Sequence, residues 1–152
     1  MTPGLTIRPA ESEERGLLED LQRSASLALD DYREALLEHP DAIALPAEHI
    51  AAGWVHLAEA HGCVRAFMVL MPAGVVDELE LDGLFVDPRS WRRGFGQSLI
   101  AKAREIADEK GARAISVIAS PTAHEFYEAC GFVVTGAQQT RFGPAVTMRL
   151  AF

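Results

Sequence analysis

Glu78, Glu80 and Asp82 recur at every second position, so a regular strand turns all three to one face, with Leu79, Leu81 and Phe85 on the other. Neighbouring carboxylates raise one another's pKa, which suits a proton acceptor working near neutrality. Just downstream, Arg89, Arg92 and Arg93 cluster in a chain whose formal net charge is −8. A local basic patch in an acidic protein suggests a small anionic ligand. Two glycines follow, Gly94 and Gly96, where an apolar strand ending at Val86 gives way past Pro88 to a long helical pattern. The first turn of a helix leaves several N–H groups without partners. Its dipole adds about half a positive charge there, and glycine lets an anion approach the backbone closely. The segment Leu84 to Ser98 is therefore a candidate phosphate site, the alternative being a purely structural strand-to-helix turn.

Two familiar phosphate motifs do not fit it. A P-loop places Lys after the last glycine, and Gly96-Gln97-Ser98 lacks it. A dinucleotide fingerprint needs a third glycine where Leu99 stands. The cysteines, Cys63 and Cys130, have no metal-ligand spacing and read as free thiols. No metal site is expected.

The elements that must position these groups follow from periodicity. Leu5 to Arg8 alternates as a first strand. Glu11 to Leu29 and Asp31 to Glu38 carry apolar residues at helical spacing, with His39-Pro40 closing the second. Asp41 to Ile50, with Pro46, reads as irregular. Trp54 to Glu59 and Val64 to Met71 form a strand pair turned by His61-Gly62, and a further strand covers Val76 to Val86. A helix from Gly94 to Lys110 puts Phe95, Leu99, Ala103, Ile106 and Ala107 on one face, with Gly111 as its cap. Ala114 to Ala119, Thr122 to Ala129, Phe132 to Thr135 and Val146 to Leu150 complete an order of β-α-α-β-β-β-α-β-α-β-β. That order predicts a mixed α/β domain with helices on the faces of one central sheet.

Bulk properties bound the function classes. A chain of 152 residues fits one domain, and 49% hydrophobic with 24% charged residues is the composition of a folded protein. The acidic total argues against a nucleic-acid-binding face. No apolar run reaches the roughly 18–20 residues that span a bilayer, and the N-terminus carries no signal-peptide pattern. A cytoplasmic location is the expectation.

The turn Val86-Asp87-Pro88, with Arg93-Gly94-Phe95-Gly96 and the amphipathic helix behind it, resembles the acetyl-CoA signature of the GNAT (general N-acetyltransferase) superfamily. Trp91 stands where Gln or Arg is usual. A second match, Ala123-His124-Glu125-Phe126-Tyr127-Glu128-Ala129-Cys130-Gly131-Phe132, resembles the family's Ala-x-x-Phe-Tyr-x-x-x-Gly-Phe. Ser120 takes a place often held by Asn, and Ile7-Arg8-Pro9-Ala10 is similar to the usual opening strand.

The resemblance implies one N-acetyltransferase domain over residues 1–152. It would carry a mostly antiparallel sheet of about seven strands flanked by about four helices. It also implies acetyl-CoA as cosubstrate, held by Leu84, Phe85, Val86, Trp91, Arg92, Arg93, Gly94, Phe95, Gly96 and Gln97. The family sheet splays at its fourth strand, where Leu84 and Val86 would bond the pantetheine arm. Glu80 matches the position of the general base in several members, with Asp82 in reserve should a bulge near Gly83 re-aim the face. Tyr127 matches the tyrosine that donates to the CoA sulfur. The acceptor is expected to be the amine of a small, amino-acid-like molecule, attacked directly in a ternary complex. Tyr32, Arg33 and His56 are candidates for the acceptor pocket, and a homodimer is common in the family. Trp91 and Ser120 leave open a non-catalytic acyl-CoA sensor, and a peptide or protein acceptor is a further alternative.

Overall fold

The computed structural model describes residues 4–29, 33–141 and 143–152. Seven strands among them form one sheet: β1 Leu5–Pro9, β2 Val55–Ala60, β3 Cys63–Pro72, β4 Glu78–Val86, β5 Ala114–Ala119, β6 Val133–Thr140 and β7 Gly143–Ala151, in the order β1-β2-β3-β4-β5-β7-β6. Only β4 and β5 pair in parallel; every other neighbour is antiparallel. The helices are α1 Arg15–Leu27, α2 Arg33–Glu38, α3 Ala47–Ala51, α4 Phe95–Glu109 and α5 His124–Ala129. The element order matches the sequence reading with one addition. The stretch expected to be irregular contains α3, begun by Pro46 at its N-cap, which makes five helices rather than about four among the described residues. Tyr32 and the start of the expected second helix lie outside those residues.

Each face of the sheet has its own apolar cluster. Beneath α4 and α5, Leu79, Leu81, Leu99, Ala103, Ile115, Val117 and Met148 are buried together. The helical spacing of Leu99, Ala103, Ile106 and Ala107 supplies that stripe. Fully burying a side chain such as Leu99 stabilises by about 1.5–3 kcal/mol. On the opposite face, Leu18 and Leu21 of α1 pack on Leu57, Phe67 and Val69. The hairpin between β2 and β3 turns on His61 and Gly62, both at positive φ, which is the two-residue loop that matches strand twist.

One irregularity in β4 decides which side chains share a face. The β3–β4 register steps from Val69↔Gly83 to Leu70↔Leu81, so Asp82 is an extra, bulged residue. Leu79 and Leu81 then share the α4 face with Leu84 and Val86, while Phe85 joins the α1 cluster, its ring 5.2 Å from that of Phe67. This corrects the strict alternation read from the sequence, which put Phe85 on the face of Leu79 and Leu81. The bulge needs a glycine beside it, since a Cβ on Gly83 would lie 2.5 Å from the Phe85 ring. No helix among the described residues is long and apolar enough to cross a membrane.

Candidate active site

The parallel pairing of β4 with β5 begins at Glu78↔Ala114 and stops at Leu81↔Val117. Beyond that point β5 pairs only with β7, through Ala119↔Val146. From the bulge onward β4 therefore has, among the described residues, a strand neighbour on one side only. The Asp87 N–H donates to the Arg65 carbonyl at 2.8 Å, which assigns the odd-numbered backbone groups of Gly83 to Asp87 to β3. By alternation, the N–H and C=O groups of Leu84 and Val86 point into the gap. Phe85 does not: its main chain is committed to β3 and its ring to the α1 cluster.

The turn into α4 sits beside that gap. Trp91 is extended, Arg92 has φ +65 and Gly94 has φ +84. A left-handed Gly94 carries no Cβ penalty and lets the chain enter the helix sharply. No side chain caps α4, and its first internal bond runs from the Ser98 N–H to the Gly94 carbonyl at 3.0 Å. The amides of Phe95, Gly96 and Gln97 consequently have no helical partner. Phe95 itself is buried, so its side chain serves the core and only its amide faces the turn.

The basic cluster divides. Arg89 is tied to Asp87, with Nη2 donating to Oδ2 at 3.0 Å, and this pairing holds the Asp87 carboxyl below the usual range. Arg92 and Arg93 are exposed at the mouth of the turn. Trp91 has a defined contact, its indole Nε1–H donating to the Val86 carbonyl at 2.8 Å. It thereby takes one of the acceptors that face the gap. A groove of about 640 Å³ shares Arg93, Gly94 and Gln97 with the turn and runs along α4 toward Leu5 and Ile7 of β1.

Gly96 is explained by packing. A Cβ there would stand 2.9 Å from Phe126 Cζ and 3.7 Å from Leu84 Cδ2. This contact brings α4, α5 and the gap-facing strand together. It also fixes the next residue of α5: Tyr127 is buried against Phe126 and Phe132, with ring centroids 5.1 and 5.4 Å away. Burial pushes the Tyr127 phenol well above its ordinary pKa, so it keeps its proton. Its hydroxyl has no hydrogen-bond partner among the described residues.

The three carboxylates of β4 have separate situations. Glu78 accepts from Arg149 Nε at 3.1 Å, and its side chain is only 13% exposed. Asp82 is exposed at the bulge. Glu80 is half-buried, lies opposite Ser116 on β5, and has no side-chain partner among the described residues. Glu80 and the gap at Leu84 and Val86 thus occupy successive stretches of one strand.

Other residues fall away from this site. His56 pairs with Met68 on β2–β3 and so faces α4, beneath the helix's C-terminal end. Burial, with Lys102 and Lys110 nearby, lowers its pKa. It lines a cavity with Trp54 and Lys110, away from the turn before α4. Burial raises the Cys130 thiol pKa, which disfavours the thiolate a nucleophile needs. Ser120 caps the entry to α5, its carbonyl accepting from the Ala123 and His124 N–H groups at 3.1 Å. Arg149 carried no local motif. It is 71 residues from Glu78 in sequence, and only the sheet pairing brings the two together.

A family model described as the acetyltransferase (GNAT) family matches residues 17–132. No curated protein matches the sequence. Among solved structures, the chain is similar to the PaiA N-acetyltransferase from Thermoplasma acidophilum in complex with coenzyme A. That match has 18% identity and a TM-score of 0.78, over 97% of this chain and 99% of that one. It is similar to a GCN5-related N-acetyltransferase from Rhodopseudomonas palustris, with 22% identity and a TM-score of 0.81 over 100% and 98% of the two chains. It is also similar to an aminoglycoside 6′-N-acetyltransferase complexed with coenzyme A, with 15% identity and a TM-score of 0.73 over 96% of each chain. At these identities the likeness is one of fold.

Proposed function

The chain belongs to the GNAT acetyltransferase family, and on that premise we propose that it transfers the acetyl group of acetyl-CoA to the amine of a small, amino-acid-like acceptor by direct attack. The observation that carries the reading is the divergence of β4 from β5 beside the uncapped start of α4. Unpaired amides of Phe95 to Gln97, with Arg92 and Arg93 at the rim, suit a diphosphate. The one-sided backbone of Leu84 and Val86 suits an extended, amide-bearing arm that completes the sheet. Two of the similar structures contain coenzyme A, which supports this choice of cosubstrate.

The chemistry assigns each group a task. An alkylamine with a pKa of roughly 10.4 is mostly protonated at pH 7, so a base must take its proton. Glu80 does so, and the freed lone pair attacks the thioester carbonyl. The Leu84 N–H, pointing into the gap, donates to the oxygen that becomes negative. The C–N bond forms, the C–S bond breaks, and the electron pair leaves on sulfur. Tyr127 donates a hydrogen bond to that thiolate. Its raised pKa keeps it in the donor form and opposes formation of a buried tyrosinate. Acylation acidifies the nitrogen, which gives up its second proton to the thiolate, so CoA leaves as the thiol while Glu80 passes the first proton to solvent.

Calorimetric titration tests the binding half of the reading. Acetyl-CoA should bind one to one, and S-acetylpantetheine, which lacks the diphosphate, far more weakly. Equal affinity for the two, or none for either, would remove the diphosphate cradle. For the chemistry, Tyr127→Phe should lower kcat about 10- to 100-fold, the worth of a hydrogen bond to a charged group. Stability should hold, because the hydroxyl has no partner among the described residues. Single-turnover acetyl transfer and thermal melting measure the two effects.

A further inference from the structure

We infer that Arg149 is a specificity residue of the acceptor site and that the acceptor carries a carboxylate as well as an amine; this rests on the acetyl-transfer reading. Glu80, Ser116 and Arg149 form one cross-strand row over β4, β5 and β7, continued by Val133 on β6. Residues paired in this way turn their side chains to the same face. The adjacent row, Leu79, Ile115 and Leu150, is buried in the α4 cluster, so the Glu80 row faces the opposite side. There α1 covers the β3–β4 half, whereas Ile118 and Val133 remain exposed. The outcome is a floor, open over β5 to β6, across which Arg149 reaches from β7 to Glu78, two residues along β4 from the unpaired carboxylate of Glu80.

Arg149 is held in place without being used up. Its Nε donates to Glu78 Oε1, and its side chain is 41% exposed. The terminal nitrogens have no partner among the described residues. Those nitrogens carry four of the five guanidinium donors, in the fork that fits a carboxylate bidentately. Glu78 acts as the anchor that aims the fork across the floor. Two strand spacings of about 4.8 Å each separate β4 from β7. Arg149 already spans that distance to reach Glu78, which brings its fork toward Glu80, and a small amino acid bridges the two groups. Its amine then lies at Glu80 and its carboxylate at Arg149. A second cationic group on the acceptor would instead meet a like charge.

The test uses the whole chain with acetyl-CoA and the twenty standard amino acids, each set against its α-carboxamide, following release of CoA thiol. At least one acid should be acetylated, and its carboxamide should lose about 10- to 100-fold in kcat/KM, chiefly through KM. The paired substitution Glu78→Gln with Arg149→Met leaves no buried carboxylate without its partner. It should bring the acid-to-amide ratio close to one, while Arg149→Lys should retain part of the preference. Equal turnover of acids and carboxamides by the native chain would overturn the inference. So would acetyl-CoA binding with no acid acetylated, or a ratio that survives the paired substitution. Failure of acetyl-CoA itself to bind would be a different result, removing the acetyl-transfer reading and this inference with it.

Discussion

Glu80→Gln should lower kcat about 10²- to 10⁴-fold with acetyl-CoA affinity nearly unchanged, the loss typical of removing a positioned general base. The expectation rests on how β4 distributes its carboxylates. Glu78 already has a cation, Arg149, and is too enclosed to meet an amine. Asp82 is exposed on the bulge. Glu80 alone of the three is half-buried, unpaired, and next to the stretch where β4 loses its β5 neighbour. Gln keeps the shape and removes the proton acceptor. The variant's rate should then rise with pH toward the acceptor's own ionisation, at roughly 10.4 for an alkylamine, because only free amine remains reactive. Asp82→Asn, measured in parallel, should change little. A Glu80→Gln enzyme with native kcat and a native pH profile would move the base elsewhere, to Asp82 or to solvent.

How much of this was legible beforehand depends on the range of the interaction. Helix α4 was readable because its apolar stripe, opening glycine and closing Gly111 are all local. The β2–β3 hairpin was readable because His61-Gly62 specifies its own turn. Strand β6 extends to Thr140, well past its expected end. Its residues are exposed on both faces, so no alternation marked them. Helix α3 is too short to show a period. The bulge at Asp82 was foreseen only as an option near Gly83, since a register step depends on the partner strand.

The same distinction applies to the site. Gly94 and Glu80 lie in recognisable local patterns. The contact of Trp91 with the Val86 carbonyl is a side-chain choice that no pattern encodes. Arg149 was invisible because β7 inserts between β5 and β6, a pairing set by the whole sheet. Sequence reasoning reached the strand and the turn proposed to hold the cosubstrate. It did not reach the floor proposed for the acceptor, because that floor is assembled across strands distant in sequence.

The glycine at the second position of α4 offers the sharpest test of what that turn is built for. Gly96→Val should destabilise the protein by about 1–3 kcal/mol through overpacking. At about 2–4 °C per kcal/mol for a chain of this size, the shift is visible in a thermal melt. Acetyl-CoA affinity should fall about tenfold or more, equivalent to at least 1.4 kcal/mol. Valine would drive Phe126 from its seat, carrying along Tyr127 beside it, and would crowd the Leu84 side chain that also lies within 4 Å of that position. One displacement would therefore disturb both Tyr127, the proposed donor to sulfur, and Leu84, the proposed oxyanion donor. Glycines in phosphate turns are ordinarily explained by the anion's close approach to the backbone, and the two accounts diverge in a double variant. If packing sets the requirement, Phe126→Leu removes the colliding ring tip and restores much of both stability and affinity, giving a coupling of about 0.5–3 kcal/mol. If the anion sets it, affinity stays low however much room is made in α5. The 2.9 Å approach to Phe126 Cζ favours recovery.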